Sequence, residues 1–237
     1  MANPETRPGN QNYQKRLDEV IRSLPDLPRK PALLLHACCA PCSSYVLEYL
    51  DGFFSITVYY YNPNIYPPQE YLRRLNETRD FYARFPPALE NDVRLVEADY
   101  NPDDFYAAID VQNHPERAHE AEKGERCRLC YRLRLENSFR YACQHNFDYF
   151  CTTLSISPFK DAQKINEEGI ALALRATENH PKNSDCRTPA WLFSDFKKKG
   201  GFKRSLELSA EFGLYRQNYC GCVYSREKQG NPPELQE

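Results

Sequence analysis

Ala32-Leu33-Leu34-Leu35-His36-Ala37-Cys38-Cys39-Ala40-Pro41-Cys42-Ser43-Ser44 is the stretch that decides how this chain folds. The apolar run follows Pro31 and stops at His36, the pattern of a short strand buried on both faces. Ser43–Leu50 then reads as a helix, with Val46, Leu47 and Leu50 on one side and Ser43 or Ser44 as its N-cap. Strand, thiol-bearing loop and helix in that order place Cys38, Cys39 and Cys42 at the carboxyl end of a parallel strand, where open α/β sheets bind ligands. Amides at a helix start favour negative charge, which suits thiolates.

Working outward, further strands are expected at Ile56–Tyr61, Val93–Val96 and Phe147–Thr153. Helices are expected at Tyr71–Phe85, Asp103–Ile109, Arg128–His145 and Asp161–Leu174. Strands alternating with such helices predict an α/β domain, a parallel sheet with helices on both faces. Residues 31–226 form that domain in this reading. Residues 1–30 are a polar N-terminal extension with one amphipathic helix at Tyr13–Leu24, and 227–237 are a mobile tail.

The chain has 237 residues, 41% of them hydrophobic, with 31 Lys plus Arg against 33 Asp plus Glu. That is a globular composition and excludes disorder, collagen and coiled coil for the bulk. No run approaches the ~18–20 apolar residues a membrane helix needs, so no membrane partner is expected. Met1–Pro31 carries no apolar block of signal-peptide type, and the expected localisation is cytoplasmic. Ten cysteines, kept reduced there, point to metal ligation or thiol redox chemistry.

Besides Cys38, Cys39 and Cys42, two more groups stand out. Cys127-Arg128-Leu129-Cys130 lies at the mouth of a helix. A CxxC serves zinc, iron–sulfur and dithiol sites alike; because this one follows a polar loop, ligation is preferred to dithiol exchange. Cys220-Gly221-Cys222 is either a strained, easily reduced disulfide or two more metal ligands. Cys143, Cys151 and Cys186 stand alone, and Cys143 and Cys151 read as structural. Seven clustered thiols exceed the four that a zinc or a cubane cluster takes, and iron–sulfur plus a separate redox pair uses all of them. Their spacing matches neither ferredoxin runs nor zinc-ribbon pairs, so any cluster is assembled from distant loops.

Positive charge is unevenly spread. Arg126, Arg128, Arg132, Arg134 and Arg140 surround a single acid, Glu136, and Lys197, Lys198, Lys199, Lys203 and Arg204 form a second group, with Arg216 just before the CxC pair. Beside cysteine groups these side chains suit phosphates, and the 17 tyrosines offer stacking surfaces for splayed bases. Solvated helix faces are the plainer explanation.

The motifs together are similar to those of the QueH family of epoxyqueuosine reductases. They are His36-Ala37-Cys38-Cys39-Ala40-Pro41, Tyr60-Tyr61-Asn62-Pro63-Asn64-Ile65, Arg126 to Cys130, Thr152 to Lys160, Asp195 to Lys198 with Arg204 to Ser209, and Tyr215 to Cys222, spread over about residues 30–226 in one order. The resemblance implies a HUP-like, Rossmann-related domain that removes the epoxide oxygen from epoxyqueuosine in tRNA, fed by an electron donor that the sequence does not identify. It implies a [4Fe–4S] cluster on Cys38, Cys39, Cys127 and Cys130, a redox-active Cys220–Cys222 pair, and an adjacent mononuclear iron. Some members carry Asp at the position of Cys42, so Cys42 becomes a thiolate ligand of that iron. Arg126, Arg128, Arg132, Lys160, Lys197, Lys198, Arg204 and Arg216 are the expected tRNA contacts, and Asp161, Asp195 and several tyrosines are candidate proton donors. The rival from another class is a zinc-stabilised RNA-binding module. Sulfur transfer on an ATP-using fold is disfavoured, because Cys38–Ser44 holds no glycine for a phosphate loop.

Overall fold

The computed structural model describes residues 11–24, 27, 29–179 and 188–227. Five parallel strands form one sheet in the order β3-β2-β1-β4-β5: β1 (Ala32–His36), β2 (Ser55–Tyr60), β3 (Arg94–Glu97), β4 (Tyr149–Thr152) and β5 (Ala190–Trp191). The expected α/β class is what the chain adopts. This order is that of the doubly wound nucleotide-binding sheets, and it reverses direction between β1 and β4.

Period-2 alternation along the central strands builds two cores. Leu33 and Leu35 of β1, Ile56 and Val58 of β2 and Cys151 of β4 face one layer, packed by α1 (Tyr13–Ser23), α2 (Ala40–Leu50), α3 (Pro68–Tyr82), α4 (Pro86–Glu90) and α9 (Gly201–Glu211). Leu34, Tyr59 and Phe150 face the other, packed by α7 (Glu125–Gln144) and α8 (Ala162–Asn179). Cys151, fully buried and donating to Leu192 O, is a core residue. Leu17 of α1 is also fully buried, so this helix is part of the core. Where α8 crosses β5, Gly169 is obligatory: a Cβ there would meet the Trp191 ring at 2.2 Å.

Three helix starts differ from expectation for one recurring reason, whereas α7 opens at Glu125 rather than Arg128 with no proline. α2 begins at Ala40, three residues before the expected Ser43, with Cys39 as N-cap and proline in its first turn. α3 likewise opens at Pro68 rather than Tyr71, and α5 (Pro102–Ile109) at Pro102. Proline at the first helical position has its φ already set and lacks an amide that would go unpaired there. Ser43 and Ser44 are inside α2, where their hydroxyls donate to the carbonyls of Ala40 and Pro41. Six elements had no clear sequence signal: β5, only two residues long, α4, the short α6 (Glu116–His119) between α5 and α7, α9, the terminal α10 (Val223–Glu227) and a 3-10 turn at Thr153–Ile156. Cys186, residues 1–10 and most of the 227–237 tail fall outside the described residues.

Candidate active site

The carboxyl ends of β1 and β4 are joined where the strand order reverses. His36 ends β1 fully buried. Its Nε2 is 3.0 Å from Tyr61 O, which only accepts, so Nε2 carries the proton. Nδ1 then accepts from the Thr152 hydroxyl at 2.8 Å, and Thr152 Oγ1 accepts in turn from Leu154 N. Burial, reinforced by the Arg134 charge, holds His36 down to about 3, in keeping with a neutral ring. The imidazole thus pins the ends of β1, β2 and β4 to one another.

In the loop that follows it, the sulfurs of Cys38, Cys39 and Cys42 all lie within 4.8 Å of one another, the one such group of ligand-type residues among the described residues. Cys38 and Cys39 Sγ are 3.7 Å apart, and Gln217 Nε2 donates to Cys39 Sγ at 2.9 Å. Hydrogen bonds from Cys39 and Cys42 hold Cys38 well below its ordinary value against burial, with Arg134 adding to the effect. Cys42 is pushed up, and Cys39 is pushed up to about 12.

Cys127 and Cys130 stand in the first turns of α7, on the buried stripe that continues through Tyr131, Arg134 and Leu135. With Cys220 and Cys222 they line a narrow cavity of about 20 Å³, completed by Asn64, Phe105, Arg126, Tyr131, Arg134 and Lys160. Burial raises both Cys127 and Cys130. In the CxC turn, the hydrogen bond from Cys222 holds Cys220 well below its ordinary value against burial, with Lys160 adding to it; the same bond raises Cys222. All nine described cysteines are free thiols.

The turn is fastened from several sides. Gly221 O accepts from Tyr66 N at 2.8 Å, and the Tyr219 hydroxyl donates to Tyr66 O at 2.7 Å. Arg74 of α3, 1% exposed, donates to Glu70 Oε1 at 2.6 Å, and to the carbonyls of Cys220 and Tyr219 at 3.3 and 3.4 Å. Gly221 has φ +112°, and a Cβ would come within 2.9 Å of Ile65 Cγ1 and 3.2 Å of Arg74 Nη1. No other residue fits between the two sulfurs.

A second cavity, of about 450 Å³, is lined by Cys38, Cys42 and Cys220 together with Arg74, Glu122, Lys160 and Arg216. Cys220 and Lys160 line both cavities, so the one that Cys38 and Cys42 line adjoins the one that holds Cys127, Cys130 and Cys222. Both linings carry buried cations, Arg74 and Lys160 in the large cavity and Arg126, Arg134 and Lys160 in the narrow one. Arg134 is 2% exposed; its Nη1 donates to Asn62 and Asn64 Oδ1, while its Nε–H and the Tyr131 hydroxyl lack a partner. Lys160 is 8% exposed; burial would lower it, but Cys220, Tyr131 and Glu122 raise it above its ordinary value. Many thiols, buried cations and two unused donors fit an anionic inorganic group with acceptor atoms.

The expected RNA-contacting residues have varied surroundings. Arg126 is 1% exposed and donates to the carbonyls of Ala118 and Glu120. Arg128 and Arg132 grip the buried Glu168, Arg204 is paired with Glu48, and Lys197 with Asp195. Lys160 and Arg216 line the large cavity, and Lys198 is exposed. Of the candidate proton donors, Asp161 accepts from the Gln163 and Lys164 amides at the start of α8 and Asp195 is paired as above, and neither lines the large cavity, whereas the tyrosine Tyr219 does. Sequence reasoning overlooked His36, Arg74, Tyr131 and Glu122. A usable signal existed for two side chains: Tyr131 and Arg134 follow Cys127 by four and seven residues and so share its helix face.

A parallel α/β sheet with a thiol-lined cavity at its switch point defines the class. The comparisons are more specific: a family described as "Epoxyqueuosine reductase QueH" matches residues 33–228. An epoxyqueuosine reductase QueH of Streptococcus pyogenes serotype M1 is 40% identical over 220 residues, covering 92% of this chain and 80% of its own. That of Staphylococcus epidermidis is 38% identical over 219 residues, covering 92% and 86%. One from Dehalococcoides mccartyi is 33% identical over 204 residues, covering 85% and 97%. The chain belongs to the QueH epoxyqueuosine reductase family and is an oxidoreductase.

Proposed function

We propose that this enzyme deoxygenates epoxyqueuosine to queuosine at the wobble position of a tRNA, a substrate that belongs in the cytoplasm. The observation that supports the reading is that thiols of two sequence-distant groups, Cys38 and Cys42 with Cys220, line one cavity of about 450 Å³, within the usual range of ligand sites, while Cys220 also lines the small cavity that holds Cys127 and Cys130. The reaction balances as epoxide plus two electrons and two protons giving alkene plus water. A Cys220–Cys222 dithiol closing to a disulfide releases two electrons and two protons, which matches that demand. The thiolate-prone Cys220 beside the protonated Cys222 is the arrangement such a pair needs. An external electron donor then reopens the disulfide.

In this reading Cys38, Cys39, Cys127 and Cys130 hold a [4Fe–4S] cluster and Cys42 an adjacent iron. Bound there, the iron centres supply one-electron transfer and a Lewis acid for the departing oxygen. Arg134 and Tyr131 offer their unused donors to acceptor atoms of the cluster, and Lys160 and Arg74 offset its negative charge. Gln217 orients Cys39. Arg216 lines the outer cavity, where a phosphate of the RNA would pass.

The test is iron and sulfide analysis with EPR on anaerobically purified protein, followed by turnover on tRNA carrying epoxyqueuosine. Brown protein absorbing near 400 nm and forming queuosine is expected. Cys127→Ala should lose the cluster and turnover, whereas replacing both Cys220 and Cys222 with Ser should keep the colour and stop turnover. Colourless protein with stoichiometric zinc and no turnover would overturn the reading.

A further inference from the structure

The rim of the large cavity carries a residue that the reduction leaves idle. Phe159 is 65% exposed, the most exposed of the large apolar side chains open to solvent among the described residues, and the only one of them that lines this cavity. A lone surface phenylalanine is ordinary. This one is held outward by its turn. Its amide donates to Ser157 Oγ at 3.2 Å, and Lys160 N donates to Ser157 O at 3.2 Å. On the other side, Asp161 Oδ1 accepts from the amides of Gln163 and Lys164, fixing the start of α8. Adjacent residues are thereby divided, with Lys160 8% exposed among the thiols and the Phe159 ring at the rim.

The chemistry around the ring selects the occupant. The cavity is lined by cations from three elements, Arg74, Lys160 and Arg216, and the Arg216 guanidinium lies 5.8 Å from the Phe202 ring centroid. Exposed aromatic faces among cations suit single-stranded nucleic acid, where every base has a face to stack and every linkage a charge. The thiols lie at depth and the ring at the opening. We propose that Phe159 is the stacking platform for an unpaired nucleobase next to the reacting nucleotide, holding the strand while the modified base enters. The proposal rests on the tRNA reading above and adds to it a specific contact.

The test uses an anticodon stem-loop RNA with 2-aminopurine placed on either side of the wobble nucleotide. Binding to the reconstituted wild-type enzyme should quench the fluorescence of one of the two labels. Phe159→Ala should lose that quench and bind about tenfold more weakly, the lower part of the range for losing one base–aromatic stack. Phe159→Trp should restore both. Equal quench and affinity in wild type and Phe159→Ala, or no quench in wild type, would overturn the stacking role. Turnover of the epoxide by wild type on the same RNA is read in parallel. Turnover with no effect of Phe159→Ala sinks this proposal alone, and binding with a Phe159-dependent quench but no turnover sinks only the reductase reading.

Discussion

The Thr152 hydroxyl donates to His36 Nδ1 at 2.8 Å, and this bond ties the ends of β1 and β4 together two residues before the first of three clustered cysteines. It is buried and has no solvent to replace it, since both residues are fully inaccessible. Thr152→Val keeps the shape but leaves the ring nitrogen and the Leu154 amide without partners. The expected loss is about 1–3 kcal/mol in urea unfolding, with Thr152→Ser close to wild type. Equal stability of the Val and Ser variants would contradict the clamp.

Gly221 separates the sulfurs of the CxC turn at a φ closed to other residues. Gly221→Ala must push against Ile65 and Arg74 or rotate the turn, and either movement displaces Cys220 and Cys222. Turnover should fall at least tenfold, while global unfolding shifts by on the order of 1–3 kcal/mol or less. Quantifying free thiols after mild oxidation checks the cause: the wild-type pair should close readily and the variant pair slowly.

Glu168, 2% exposed, clamps α8 to α7 through Arg128 and Arg132. Burial pushes its carboxyl up, but hydrogen bonds from Arg132 and Arg128 outweigh burial and leave it below the ordinary value. A group depressed in the folded state contributes stability that is complete above its unfolded pKa of about 4.3 and is lost as pH falls through the folded value. Wild type should therefore lose stability below about pH 4.3 more steeply than Glu168→Gln. At pH 7 the variant should be weaker by on the order of 2 kcal/mol, allowing for the partial solvent screening of both arginines. Urea midpoints across that pH range decide it; parallel curves would remove the clamp.

Arg134 brings a buried charge and an unused Nε–H to the cavity between Cys127, Cys130, Cys220 and Cys222. Arg134→Gln should retain less iron per chain after anaerobic gel filtration, and Arg134→Lys should be intermediate. Circular dichroism separates this from unfolding. Unchanged iron content in a folded Gln variant would show that its charge is not needed to hold the metal.

Much of the architecture was legible because short-range physics wrote it. Leu33, Leu34 and Leu35 could only be a strand covered on both faces, and alternation with helices made the sheet parallel. Helix starts fall earlier than expected where proline stands in the first turn, as Pro41 does in α2 and Pro68 in α3. β5 was invisible because two residues make no pattern; its pairing with β4 and the Trp191 contact with Gly169 hold it.

By itself, then, the sequence determined that thiols cluster in three groups, that the first sits after β1, and which family the motifs resemble. Tertiary structure alone decided how those groups meet. Cys38, Cys39 and Cys42 close on one another, Cys127 and Cys130 share a cavity with Cys220 and Cys222, and Lys160 and Cys220 join the two sites. It also turned Arg126 and Arg134 inward from a run that reads as a basic surface. The reason is physical. Helical periodicity assigns a face to each residue, but which face is dry depends on what packs against it, and those partners come from loops about 90 to 180 residues away.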